Sequence, residues 1–134
     1  MKAHQGFTLI EIVITIVIIG IILLIAIPSY NTYIQHSRRY EATSTLEALY
    51  LLQKKYHLKY DHYATLDQIW HRKQTDNHYY RLSVSNVSTD TVTLKASAIN
   101  TQKDDQEGKI NCSTLVIQID QQEVSRKPSI CWDH

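Results

Sequence analysis

Residues Gly6–Pro28 read GFTLIEIVITIVIIGIILLIAIP, and Glu11 is the one charged residue between Phe7 and Ile27. As an α-helix rising about 1.5 Å per residue, Phe7–Ile27 is roughly 32 Å long. That matches the roughly 30 Å hydrocarbon core of a bilayer. The stretch therefore predicts a membrane-spanning helix with an acid near its first turn. A charged side chain at mid-span costs about 2.5–3.5 kcal/mol on insertion scales, so an acid within a span is a functional candidate. Ahead of it, Lys2, His4 and Gln5 form a polar leader that meets the apolar run directly at Gly6-Phe7. A secretory signal peptide is cut after its apolar core, near small residues. Here Pro28-Ser29-Tyr30 follow instead. Pro28 has no amide hydrogen and predicts a kink. Gly20 is a second weak point, costing about 1 kcal/mol against Ala.

The polar leader, the Gly6-Phe7 junction, Glu11 and the apolar tail with Gly20 and Pro28 together resemble the class III leader of type IV pilins and pseudopilins. The resemblance implies that a prepilin peptidase cuts after Gly6 on the cytoplasmic side and that Phe7 becomes the N-methylated mature terminus. It implies that Glu11 pairs with the terminal amine of a neighbouring subunit during assembly. It also implies that Gly20–Pro28 loses helicity in the filament. The implied location is the bacterial inner membrane, single pass with the N-terminus cytoplasmic and the C-terminal domain periplasmic, and then the extracellular pilus. Charge alone decides orientation less firmly, since Lys2 favours an inside N-terminus and Arg38 and Arg39 oppose it.

Beyond the span, roughly 100 residues suffice for one modest domain. The expected organisation is a leader (1–6), a transmembrane and assembly helix (7–28) and a globular domain (29–134). The last divides into an amphipathic helix (29–60), a loop (61–78) and a sheet (79–134). Ala42, Thr45, Leu46, Leu49, Gln53, Tyr56 and Tyr60 recur at three- and four-residue spacing and share one helix face. Leu51 lies roughly opposite, where it would meet solvent or a neighbouring subunit. Thr65 caps a short helical turn up to Trp70. Period-2 alternation then marks Tyr80–Val84, Val92–Ala98 and Leu115–Ile119 as strands that each bury one face. Asn86–Asp90 is a hairpin turn, 100–113 a polar connection, and Glu123–Arg126 a short fourth strand. Cys112 and Cys131 fall in the exported part, where two cysteines read as one disulfide. The Cys–strand–turn–Cys-Trp ending also resembles PilE-like minor pilins, although Asp120-Gln121-Gln122-Glu123 lacks the glycine usual in that turn. The expected fold is α+β: a type IV pilin fold, with a long helix packed on a four-stranded antiparallel sheet and a C-terminal disulfide-bounded region.

The formal net charge of +1 gives no basis for a dedicated nucleic-acid binder, whose domain is basic. A Gly-rich phosphate loop, CxxC and HExxH are all missing. No enzymatic role, cofactor or metal is expected. His57 with His62, or His71 with His78, would be a metal pair on spacing alone, and solvated histidines are the preferred reading. Tyr30, Tyr33, Tyr40, Tyr50, Tyr56 and Tyr60 interleave with Arg38, Arg39, Lys54, Lys55 and Lys59. Stacking and phosphate contact would suit nucleic acid, but a helix with one packed and one solvated face is the preferred reading. The sequons at Asn86 and Asn111 are assigned no role.

These expectations converge on a minor pilin, a structural subunit of a type IV pilus. Its partners would be other pilins, prepilin peptidase and inner-membrane assembly proteins. The alternatives are a pseudopilin of type II secretion and, from another class, a membrane-tethered adhesin or DNA-uptake receptor resting on the basic-aromatic helix.

Overall fold

A computed structural model describes residues 6–121 and 123–133, with backbone only for Pro28 and Ser29. The leader residues before Gly6 and Gln122 of the last turn lie outside the described residues. There are two compact units, one reaching to Ile34 and the other beginning at Gln35. Helix α1 is assigned over Leu9–Tyr60 without interruption at Gly20 or Pro28.

In the first unit, α1 starts where Thr8 can cap it. The Thr8 hydroxyl oxygen accepts from the Glu11 amide at 3.3 Å, satisfying one of the donors orphaned at any helix start. Glu11 in this first turn also complements the positive end of the helix dipole. Every large apolar side chain from Phe7 to Ile27 is exposed, and the least exposed, Val13, still shows 48%. A helix that is apolar on all sides belongs in lipid or inside a larger assembly.

In the second unit, Arg39, Ala42, Leu46, Leu49 and Gln53 form the buried stripe of α1. The short helix α2 (Leu66–Ile69) follows, its first turn tightened by Gln68 Oε1 accepting from the Thr65 amide at 2.7 Å. Strands β1 (Tyr80–Ser85) and β2 (Thr91–Ala98) form a hairpin. A 3-10 turn over Asn100–Asp104 leads to the two-residue strands β3 (Gln106–Glu107) and β4 (Ile110–Asn111). Strands β5 (Thr114–Asp120) and β6 (Glu123–Lys127) complete the main sheet, antiparallel throughout in the order β1-β2-β5-β6. Leu82, Ala96 and Leu115 align across it, as do Leu94 and Ile117, and all are buried in one core with the α1 stripe.

The expected α+β fold is what the chain adopts, with strands within a residue or so of the expected bounds. Three local differences have physical reasons. The 100–113 connection is not featureless, because Asp105 and Gln102 are buried in it and need a fixed backbone. Tyr60 leaves the packed face and is 47% exposed, since it ends α1 past the sheet's cover. The glycine-free β5–β6 turn places Gln121 at φ 46, a left-handed conformation uncommon outside glycine. Its amide donates to the Asp90 carbonyl at 3.1 Å, which anchors it.

Cys112 and Cys131 are joined, with Cα atoms 5.7 Å apart. Closing this loop stabilises by about 3 kcal/mol on the chain-entropy estimate. Next to it lies a buried ionic cluster. Arg39, 1% exposed, reaches Glu107 Oε2 at 2.8 Å and Cys112 Sγ at 3.0 Å. Its Nε stands 3.3 Å from Asp105 Oδ2, a charge contact without hydrogen-bond alignment. Gln102 Nε2 donates to Tyr80 Oη and to the Gln35 carbonyl, both at 3.0 Å. His36 stands 3.3 Å from Glu107. Burial pushes the Asp105 carboxyl above its ordinary range, against the pull of Arg39. The hydrogen bond from Arg39 holds Glu107 below its own.

Asp105→Ala leaves buried Arg39 with Glu107 as its remaining carboxylate partner and should destabilise by about 1–3 kcal/mol, the cost of leaving a buried polar group short of a partner. Glu47→Gln removes the carboxylate charge that pairs with Arg126, where both side chains are over a third exposed, and should cost no more than about 1 kcal/mol. Urea titration of the full chain in detergent compares them. Glu107, with a depressed folded pKa, contributes stability that is present above 4.5 and lost as pH falls through the depressed value. Asp105, with a raised one, contributes in the opposite sense. Glu107→Gln should therefore lose less stability than the parent on acidification below that pH, and an equal loss would assign the acid limb elsewhere.

Candidate functional site

The sequence-predicted assembly residues lie in the first unit. Gly6 and Phe7 precede α1 and are exposed, Phe7 by 79%. Glu11 is exposed in the first turn, and its carbonyl accepts from the Thr15 hydroxyl at 2.7 Å. Glu11 thus sits exposed among exposed apolar neighbours, Phe7, Leu9 and Ile10. Thr8 was not singled out from the sequence. The Thr8-Leu9-Ile10-Glu11 spacing, which matches a capping box ahead of an apolar run, was the available signal. At Gly20, beyond its chain neighbours and the helix's own backbone, no atom of the described residues lies within 4 Å of where a Cβ would stand, so packing among them does not require a glycine there.

The basic-aromatic helix does not survive as one surface. Arg39 is consumed in the buried cluster. Arg38 lies 3.9 Å over the Tyr79 ring and donates to the Thr101 hydroxyl at 3.4 Å. Tyr50 is half-buried against the core. What persists is a group at the helix end, Lys55, Tyr56, Lys59 and Tyr60. Three of the histidines have partners of their own: His57 Nε2 contacts the Thr89 carbonyl, His62 Nδ1 the Tyr60 carbonyl, and His78 Nδ1 the Gln74 side-chain oxygen.

The outward face of the sheet is a second candidate surface, and the sequence reading passed over it. Period-2 alternation sends Arg81, Ser83 and Ser85 of β1 outward together with Thr93, Lys95 and Ser97 of β2. The register lines up Ser83, Lys95, Val116 and Lys127 in one row across all four strands, with Arg81, Ser97 and Thr114 in a row beside it. Strands stand about 4.8 Å apart. Lys95 and Lys127 are therefore roughly 10 Å apart at the backbone, with Arg81 closer to Lys95. None of the ion pairs among the described residues involves these three cations. The carboxylates of this face, Asp120 and Glu123, sit together at the β5–β6 turn. Beside β1, the Leu82 amide donates to the Lys73 carbonyl at 2.8 Å, which keeps the Arg72–Lys73 segment at the sheet edge. The signal in the sequence was the polar half of each alternation, where the face carries hydroxyls and cations but no acid outside the turn.

Comparison with known proteins gives two family matches. The profile described as "Prokaryotic N-terminal methylation motif" matches residues 1–27. The profile described as "Type IV minor pilin ComP, DNA uptake sequence receptor" matches residues 28–116. Among curated relatives, the chain is 38% identical over 84 residues to the "Type IV major pilin protein PilA" of Myxococcus xanthus, covering 61% of this chain and 38% of that protein. It is 49% identical over 49 residues to a "Fimbrial protein" of Pseudomonas aeruginosa, covering 37% of this chain and 32% of that one. It is 50% identical over 50 residues to the "Type IV major fimbrial protein FimA" of Dichelobacter nodosus, covering 37% of this chain and 31% of that one. The matched stretches thus span about a third of the relatives' own length.

Proposed function

We propose, for a chain that belongs to the type IV pilin family, the role of a minor pilin that is inserted in the inner membrane and then assembled into the filament. Pilins are structural subunits and not enzymes, and assembly with other pilins after leader processing is the family's mode of action. The observation that carries the minor assignment is the minor-pilin profile over residues 28–116, which takes in most of the sheet domain. The matches to proteins named major pilin or fimbrial run to 84 residues for the Myxococcus xanthus protein and to 49 or 50 for the others.

In this reading prepilin peptidase cuts between Gly6 and Phe7, and Phe7 is then methylated at its amine. Phe7–Ile27 spans the bilayer with the sheet domain on the periplasmic side. During assembly the exposed apolar helix exchanges lipid for other subunits. Glu11 then pairs with a neighbour's terminal amine, a contact that offsets the cost of a carboxylate in an apolar surrounding. Pro28 leaves the Leu24 carbonyl without its helical donor, so Gly20–Pro28 is the segment that loses helicity on packing. Leu51, 64% exposed on α1, faces a neighbouring subunit.

Mass spectrometry of sheared pili should find this chain at trace level, starting at N-methylated Phe7. Glu11→Val should remain in the membrane fraction and drop out of sheared pili by roughly 10-fold or more. Bulk abundance would make it a major pilin, and undiminished incorporation of the variant would remove the role of Glu11.

A second reading is favoured by the outward sheet face. Its Arg81, Lys95 and Lys127 stand among hydroxyls and away from carboxylates. That composition suits the phosphates of duplex DNA, where cations supply most of the affinity. The family description names a DNA uptake sequence receptor. In this reading the pilus carries the chain as a receptor that holds DNA across the sheet. Log Kobs against log salt, measured by anisotropy with a labelled duplex and the full chain in detergent, should have a slope near −0.9 per neutralised phosphate. Lys95→Gln should reduce that slope by about 0.9. An unchanged slope would take DNA off this face.

A further inference from the structure

A cleft of about 280 Å³ at the end of α1 is lined by Lys55, Tyr56, Lys59, Tyr60, Gln68 and Ile69, among others. It belongs neither to the sheet face nor to the core. The Tyr56 and Tyr60 rings lie 4.5 Å apart at 41°, and His62 stands edge-on to Tyr56 at 5.5 Å. The Lys59 ammonium is 4.9 Å from the Tyr60 ring centre. Gln68 Nε2 donates to Tyr56 Oη at 3.4 Å, while Oε1 of the same side chain is held by the Thr65 amide at 2.7 Å. One wall of the cleft is therefore fixed by α2. Tyr60 is 47% exposed, so the fold leaves part of an aromatic surface uncovered. The nearby carboxylates, Asp61 and Asp67, are exposed and do not line the cleft.

We propose that this cleft binds one unpaired nucleotide, with the base against Tyr60 and Tyr56 and its phosphate against Lys55 and Lys59. An aromatic platform beside cations takes a nucleobase by stacking and its backbone by charge, with little sequence preference. A paired base inside a duplex cannot present its face to such a platform without unstacking. The cleft thus selects a single strand, an overhang or a frayed end. This proposal stands on the helix end alone and not on the sheet face, so either can fail without the other.

The test uses the full mature chain in detergent micelles and anisotropy with three labelled probes: a mixed-sequence single-stranded octamer, an abasic deoxyribose-phosphate oligomer of equal length, and a closed hairpin duplex. The octamer should bind roughly 10-fold or more tighter than the abasic oligomer. Tyr60→Ala should remove that preference and Tyr60→Phe should keep it. Lys59→Gln should weaken octamer and abasic oligomer alike, and Lys95→Gln should leave their ratio unchanged. Equal binding of octamer and abasic oligomer by the parent chain would overturn the proposal whatever the variants do. So would a preference that survives in folded Tyr60→Ala. Loss of duplex binding alone would count against the sheet-face reading only.

Discussion

A helix that is apolar around its whole circumference must be covered by something other than its own chain. From Phe7 to Ile27 no large apolar side chain is less than 48% exposed. An uncovered surface of that kind far exceeds the apolar patches tolerated on soluble monomers. The domain of roughly 100 residues closes its own core with the α1 stripe from Arg39 to Gln53. Two environments satisfy the helix, a bilayer and a bundle of like helices. That requirement orders the other features of the N-terminus, from the Thr8 cap to the acid at Glu11. In water the same segment would aggregate.

The sheet domain meets a different constraint. Its apolar core is small, and a disulfide and a buried charge cluster fix the connection that the core does not reach. Arg39 links α1 to Asp105 and Glu107 and touches the Cys112 sulfur. A buried pair of this sort is weak as net stabilisation but strongly penalises any arrangement that leaves one charge alone. Gln53 acts in the same manner. It donates to the Ala64 carbonyl at 2.7 Å and accepts from the Ala64 amide at 2.8 Å, pinning the chain as it leaves α1. Both devices specify where loops dock, whereas the apolar contacts specify only that they dock.

What could be read from the sequence was local and periodic. The span announces itself by length, and the strands by alternation at Tyr80–Val84, Val92–Ala98 and Leu115–Ile119. What could not be read was pairing between residues far apart. Arg39 and Glu107 are 68 positions apart, and no period connects them. A clue was present, because Arg39 lies three residues before Ala42 and seven before Leu46 on the buried stripe. An arginine on an apolar stripe calls for a distant acid. Strands β3 and β4, two residues each, are below the length at which alternation carries information. Tyr60 kept the period of the stripe but lay beyond the sheet. Periodicity shows which face a residue occupies and says nothing of how far its cover extends.

The cations illustrate the same limit in three dimensions. Along the sequence they interleave with tyrosines on one helix, and the fold scatters that group among a buried cluster, a ring contact at Tyr79 and the end of α1. Arg81, Lys95 and Lys127 are far apart in sequence, and antiparallel register brings them to one face. A net charge of +1 conceals this, because it sums the whole chain, in which pairs such as Arg39 with Asp105 and Glu107, and Arg126 with Glu47, withdraw cations and acids together. The outward sheet face is more basic than the total suggests because its own carboxylates, Asp120 and Glu123, sit together at the β5–β6 turn. Polyanion attraction depends on the charge left facing solvent and on its spacing. A near-neutral composition is therefore compatible with a locally basic surface, and the sheet register is what makes that surface visible.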